Sequence, residues 1–218
     1  MMRKTNPSVI RATLRHSNYS RYIFGNGLSL IGTWMQRIAV GWLTWELTHS
    51  PAWLGIMAMA DFAPVFLLGP LGGALADRYS RIMVMVWAQV AAALSALVLF
   101  ALSASGILNV WHLTIFTFLT GCAVGINQPA RLSLAPSLVP PELLTTAISL
   151  NAMIFNGARF VGPMISTVVI TLWSIHGSFL INACSYAALI IALLSLKIPR
   201  RKRPETDGPQ PSLLDDIR

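Results

Sequence analysis

Six stretches of about 20 to 28 predominantly apolar residues run along this chain, and a helix of roughly 20 such residues is what a hydrocarbon layer about 30 Å thick requires. They fall at residues 21–46, 52–76, 82–104, 110–130, 144–171 and 177–196, with short connections between them. Of the 218 residues, 55% are hydrophobic and 11% charged, against roughly 25% charged in an ordinary soluble domain, so too little polar surface exists to wrap a water-soluble core. The first stretch is no cleaved leader: it is long, follows some twenty mostly polar residues, and is interrupted by Gln36 and Arg37. The expected fold class is therefore an all-α membrane protein. Residues 1–20 form an N-terminal segment, 21–196 a bundle of six transmembrane helices, and 197–218 a basic tail.

A net charge of +8 suits nucleic acid in a soluble protein, so the placement of the charges has to decide. Arg3, Lys4, Arg11, Arg15 and Arg21 precede the first span, Arg78 and Arg81 follow the second, Arg131 follows the fourth, and Lys197, Arg200, Arg201, Lys202, Arg203 and Arg218 follow the sixth. The loops at 46–50, 105–109 and 173–177 hold no Lys or Arg. By the positive-inside rule both termini are then cytoplasmic, the partner is the lipid bilayer, and no nucleic-acid partner is expected. Trp34, Trp42, Trp45, Trp53, Trp111 and Trp173 lie mostly toward the outer ends and read as interfacial anchors. Cys122 and Cys184 sit on separate spans without metal-ligand spacing and read as small packing residues.

The densest motif is Gly73-Ala74-Leu75-Ala76-Asp77-Arg78-Tyr79-Ser80-Arg81, in the short turn between spans two and three. Gly72 and Gly73 permit close helix approach, while Asp77, Arg78 and Arg81 put one acid and two bases into a single turn, a cluster that can be made and broken. This loop resembles the signature loop of the major facilitator superfamily, with Ser80 where a glycine is usual and Ile82 where a second basic residue is common. Leu30-Ile31-Gly32-Thr33-Trp34-Met35-Gln36-Arg37, Asn127-Gln128-Pro129-Ala130-Arg131 and Arg159-Phe160-Val161-Gly162-Pro163 resemble the enterobactin-exporter and macrolide-efflux type within it.

That resemblance implies twelve spans in two six-span halves, each half made of two three-helix repeats, and this chain matches the N-terminal half. Gly69-Pro70 and Gly162-Pro163 then occupy equivalent helices of the two repeats, and the latter pair stands in an antiporter-like motif where the backbone can bend. The resemblance also implies a proton-driven exporter of small amphipathic molecules such as drugs or siderophores, in a bacterial inner membrane, with protons as coupling ion and no cofactor. The polar stretch 204–211 and the helix start at Ser212 match the beginning of the central linker.

Charges inside spans are the best functional pointers, because each costs on the order of 2.5 to 3.5 kcal/mol on insertion scales. Arg37 lies about nine residues from the outer end of span one and Asp61 about as far from that of span two, so at 1.5 Å per residue they reach the same depth and can pair. Arg159 lies near the middle of span five with Asn156 three residues earlier, and Gln36 adds an amide beside Arg37. If Arg37 and Asp61 neutralise each other, Arg159 leaves a cationic cavity suited to an anionic or polar substrate, with Asp61 the candidate proton carrier. The alternative is a structural network that holds helices in register. For the chain as a whole, three readings stand: a piece of a twelve-span exporter whose second half lies elsewhere, a six-span chain working with a second copy, or a membrane protein with no transport of its own. No set of residues suited to an enzyme's active site is present.

Overall fold

The computed structural model describes residues 7–196, so Arg3, Lys4, the basic tail and the helix start at Ser212 lie outside the described residues. A short amphipathic helix α1 (Pro7–Arg15) precedes six long ones: α2 (Ser17–Thr48), α3 (Pro51–Arg78), α4 (Arg81–Ala104), α5 (Val110–Ser137), α6 (Leu144–Leu172) and α7 (Ile175–Leu194). One 3-10 turn, Pro141–Leu143, leads into α6, and the described residues contain no strand.

Five helices, α3 to α7, are long and apolar enough to cross a membrane. Six such spans were expected, and the difference lies in α2. That helix has 32 residues, about 48 Å at 1.5 Å per residue, but its polar content keeps it from qualifying by composition. Asn26, Ser29 and Gln36 are nonetheless buried against its neighbours.

Alternate helices run in opposite directions, as their two ends show. At the end bearing Arg21, Arg78 and Arg81, the Tyr19 hydroxyl donates to the Ala147 carbonyl at 2.9 Å and an Arg21 N–H donates to the Ser195 carbonyl at 3.1 Å. At the opposite end Trp53 meets Trp111 edge to face at 5.1 Å, and Phe100 lies 6.0 Å from His176. Helices α2, α4, α5 and α7 make the centre: α2 packs on α7, α7 on α4, and α4 on α5. Helix α3 flanks α5 and α6 flanks α2. Only 17% of the apolar stretch of α3 or α6 is buried, against 39% or more in α4, α5 and α7, so these two are edge helices. Exchanging α2, α3 and α4 for α5, α6 and α7 maps the list of strongly packed pairs onto itself.

Without a hydrophobic drive between helices in lipid, close approach depends on small residues. Gly121 and Gly125, one turn apart on α5, face α3: a methyl group at Gly121 would stand 2.6 Å from the Asp61 carbonyl oxygen, and one at Gly125 2.9 Å from that of Pro64. Gly72 of α3 returns the contact against the backbone of Ile126. Gly73, expected to share that role, faces open space instead, because its direction differs by one residue's rotation of about 100°.

The glycine seam makes a prediction. Gly121→Ala should lower stability by about 1–3 kcal/mol, since backbone and not a flexible side chain must yield. Gly41→Ala, with open space around it, should leave stability unchanged or raise it by at most about 1 kcal/mol. Thermal unfolding of the purified protein in detergent distinguishes the two.

Candidate functional site

The antiparallel turn at 49–50 sets α2 beside α3, and Arg37 and Asp61, at matched distances from it, meet: Arg37 Nε lies 2.8 Å from Asp61 Oδ2. The N–H is not aligned as a hydrogen bond, so the contact is an ion pair. Both side chains are largely buried, with 23% and 14% exposure. Aromatic rings complete the guanidinium's surroundings, its Cζ lying 4.6 Å from the centroid of Trp34 and 5.1 Å from that of Phe62. A cation desolvated against such rings gains attraction from their electron-rich faces.

Trp34 is shared. Arg159 Cζ stands 5.4 Å from its centroid, brought there by Gly162, where a methyl group would meet the Trp34 Cβ at 2.6 Å and the Ile31 carbonyl oxygen at 2.9 Å. Trp34 also meets Phe155 edge to face at 6.4 Å, and Phe155 in turn carries Arg131 at 5.4 Å. A ladder of cations and rings thus runs from Asp61 to Arg131. Trp34 is a member of this ladder and not an interfacial anchor, unlike the well-exposed Trp42, Trp111 and Trp173.

Two cavities flank the ion pair. One, of about 260 Å³, opens toward the tryptophan-rich end and is lined by Asp61, Gln36, Leu54 and Met57. The other, of about 340 Å³, lies toward the basic end and is lined by Asn26, Asn127, Gln128, Arg131 and Arg159. Thr33, Trp34, Arg37, Phe62 and Tyr186 line both and form the wall between them. Asp61 borders the first cavity alone, and among the described residues no acidic one lines the second. Hydrogen bonds brace the wall from behind: Asn182 Nδ2 donates to Gln36 Oε1 at 2.6 Å, and Thr33 Oγ1 lies 3.2 Å from the Tyr186 hydroxyl.

Of the residues expected here, Arg37, Asp61, Gln36 and Arg159 come together around this wall. Asn156 does not. It is exposed, lines neither cavity, and its Nδ2 donates at 2.8 Å to the Ala152 carbonyl of its own helix. In the expected gating loop, Asp77 is exposed at the last turn of α3, Arg78 ends that helix, and an Arg81 N–H reaches the Ser133 carbonyl of α5 at 3.3 Å. Arg131 differs most from expectation. Helix α5 continues through Pro129 and Pro136 to Ser137, seven residues past the expected end, so Arg131 is buried at 8% exposure inside the bundle. Prolines are tolerated in membrane helices where neighbouring groups cover the freed carbonyls.

Residues 10–218 match the family described as transmembrane secretion effector. The chain is 28% identical over 174 residues to an uncharacterised MFS-type transporter of Bacillus subtilis (strain 168), covering 79% of this chain and 40% of that protein. It is 26% identical over 188 residues to the staphyloferrin A transporter of Staphylococcus aureus (strain NCTC 8325 / PS 47), covering 85% and 47%. With macrolide efflux protein A of Streptococcus pyogenes it shares 25% identity over 176 residues, covering 81% and 44%. The chain thus spans less than half the length of these relatives.

The bracing bonds yield a prediction. Asn182→Ala leaves the buried Gln36 without its donor and should lower stability by about 1 kcal/mol, whereas Asn156→Ala should stay within about 0.5 kcal/mol of the parent. Thermal unfolding in detergent reads both, and equal effects would contradict the difference in their surroundings.

Proposed function

This chain belongs to the transmembrane secretion effector family of the major facilitator superfamily, and on that premise we propose that it forms one six-helix bundle of a proton-driven exporter. The family and its relatives are transporters, not enzymes. The single observation that carries the reading is an ion pair set within the apolar bundle between two cavities. Such a pair is costly in lipid and marks an ion or substrate path.

In this reading α2 is the first of six spans, and α2–α4 and α5–α7 are the two three-helix repeats. The self-mapping pattern of helix pairs supports that division. Basic residues at one end of the bundle support cytoplasmic termini in a bacterial inner membrane. The exposed apolar side chains of the edge helices, among them Phe66, Leu67, Phe160 and Met164, support a second bundle packing there, from a longer polypeptide or from a second copy. Alternating access is then a rocking of the two bundles, with Asp77, Arg78 and Arg81 meeting the partner bundle and Gly162 and Pro163 the place where α6 bends.

Asp61 is the proton carrier in this scheme. Its carboxylate borders the first cavity and is held by Arg37, whose guanidinium borders both cavities. Small amphipathic molecules are the proposed cargo, a reading supported by the siderophore and macrolide names of two relatives.

Energised bacteria expressing the full protein should accumulate several-fold less of a transported macrolide or siderophore than cells without it, and a protonophore should abolish the difference. Asp61→Asn should remove the protonophore-sensitive part while the protein still inserts. Unchanged accumulation across a panel of both compound types would contradict export, and protonophore-sensitive export by Asp61→Asn would contradict the proton role.

A further inference from the structure

Arg131 and Arg159 both line the second cavity, and among the described residues neither has an acidic partner. Arg131 is 8% exposed, with one N–H donated to Gln128 Oε1 at 2.8 Å and its Nε left without an acceptor. Asn127, one turn earlier on the same face of α5 and also 8% exposed, has its Oδ1 left without a donor. Buried polar atoms are rarely left unpaired, and two of opposite character at one cavity wall describe the ligand that would satisfy them. It brings an anionic acceptor to the guanidinium and a hydroxyl donor to the amide.

We infer that the second cavity is a site for small organic acids carrying a carboxylate beside a hydroxyl, held between Arg131 and Arg159 with the hydroxyl on Asn127. This rests on the exporter reading above and names the substrate class of its inner cavity. A guanidinium presents a planar fork of donors matched to the two oxygens of a carboxylate, and two such forks without a competing acid select an anion. Trp34 and Phe155, set edge to face, give the site an apolar wall. A cavity of about 340 Å³ suits a molecule of small-ligand size. The two arginines differ in freedom: Arg131 is packed against Phe155 and tied to Gln128, while Arg159 is exposed on the open side of α6. Arg131 is thus the fixed anchor and Arg159 the arm that closes over a bound acid. Arg37 lines the same cavity, so a second carboxylate there competes with Asp61 for it.

The test is equilibrium binding of radiolabelled salicylate, which carries adjacent carboxylate and hydroxyl groups on a flat ring, to the full protein in nanodiscs. Salicylamide serves as the uncharged counterpart. Wild-type protein should bind salicylate at least tenfold more tightly than salicylamide. Arg131→Gln and Arg159→Gln should each weaken salicylate tenfold or more and leave salicylamide unchanged, and Asn127→Ala should weaken salicylate severalfold. Equal affinities for the two probes in the wild type, or salicylate binding unaffected by Arg159→Gln, would overturn the inference, and neither result depends on Arg131→Gln folding. Because binding is read without transport, loss of the probe preference with efflux intact overturns this site alone. Preference intact without any efflux overturns the transport reading alone.

Discussion

The contact between Arg37 and Asp61 governs this bundle, because α2 and α3 have little else to hold them together. Helix α2 spends its surface on α7 and α6, and α3 spends its own on α5. Two charges within an apolar bundle are costly singly and tolerable as a pair, so either one left alone must find another partner or neutralise. That constraint turns a weak helix contact into one that is strong when closed and able to change when a proton or an anion competes for a member. The aromatic surroundings sharpen this, since Trp34 and Phe62 offer the guanidinium their faces.

The rest of the architecture keeps the pair at that depth. Gly121 and Gly125 let α5 sit against the carbonyls of Asp61 and Pro64, so the backbone behind the acid cannot drift inward. On the other side Gly162 seats α6 against α2 at Trp34, which delivers Arg159 to the shared ring. The central helices α4 and α7 meet through small residues such as Ala88, Ala92 and Ala183, giving a dense middle. The edge helices carry exposed apolar faces and bring Asp61 and Arg159 against Arg37 and Trp34 of the central α2. A stiff centre with less buried flanks suits a device in which flanking helices move against fixed ones.

Much of this was legible in the sequence because the bilayer allows few solutions. Apolar blocks of fixed length gave the helices to within a few residues at most boundaries, and equal spacing from one turn was enough to set Arg37 opposite Asp61. What stayed hidden shares one cause: a residue's role depends on the direction its side chain takes from the helix, which spacing alone gives only relative to its own neighbours. Asn156 and Arg159 are three apart, yet only Arg159 reaches Trp34 and the cavity, while Asn156 bonds its own helix. Gly72 and Gly73 are adjacent, yet only Gly72 meets α5. Arg131 was placed just after a span ending at residue 130, whereas α5 continues for about two more turns to Ser137. The buried amides Asn127 and Asn182 carried a signal in their polarity within apolar stretches, which the charged residues nearby overshadowed.

The most direct test of the central claim is a double-mutant cycle on Arg37 and Asp61, read by thermal unfolding in detergent. Arg37→Gln and Asp61→Asn should each destabilise, and the double variant should lose at least about 1 kcal/mol less than their sum, as residues in direct ionic contact do. Losses that simply add would mean that the two charges act independently, and the wall between the cavities would need another explanation.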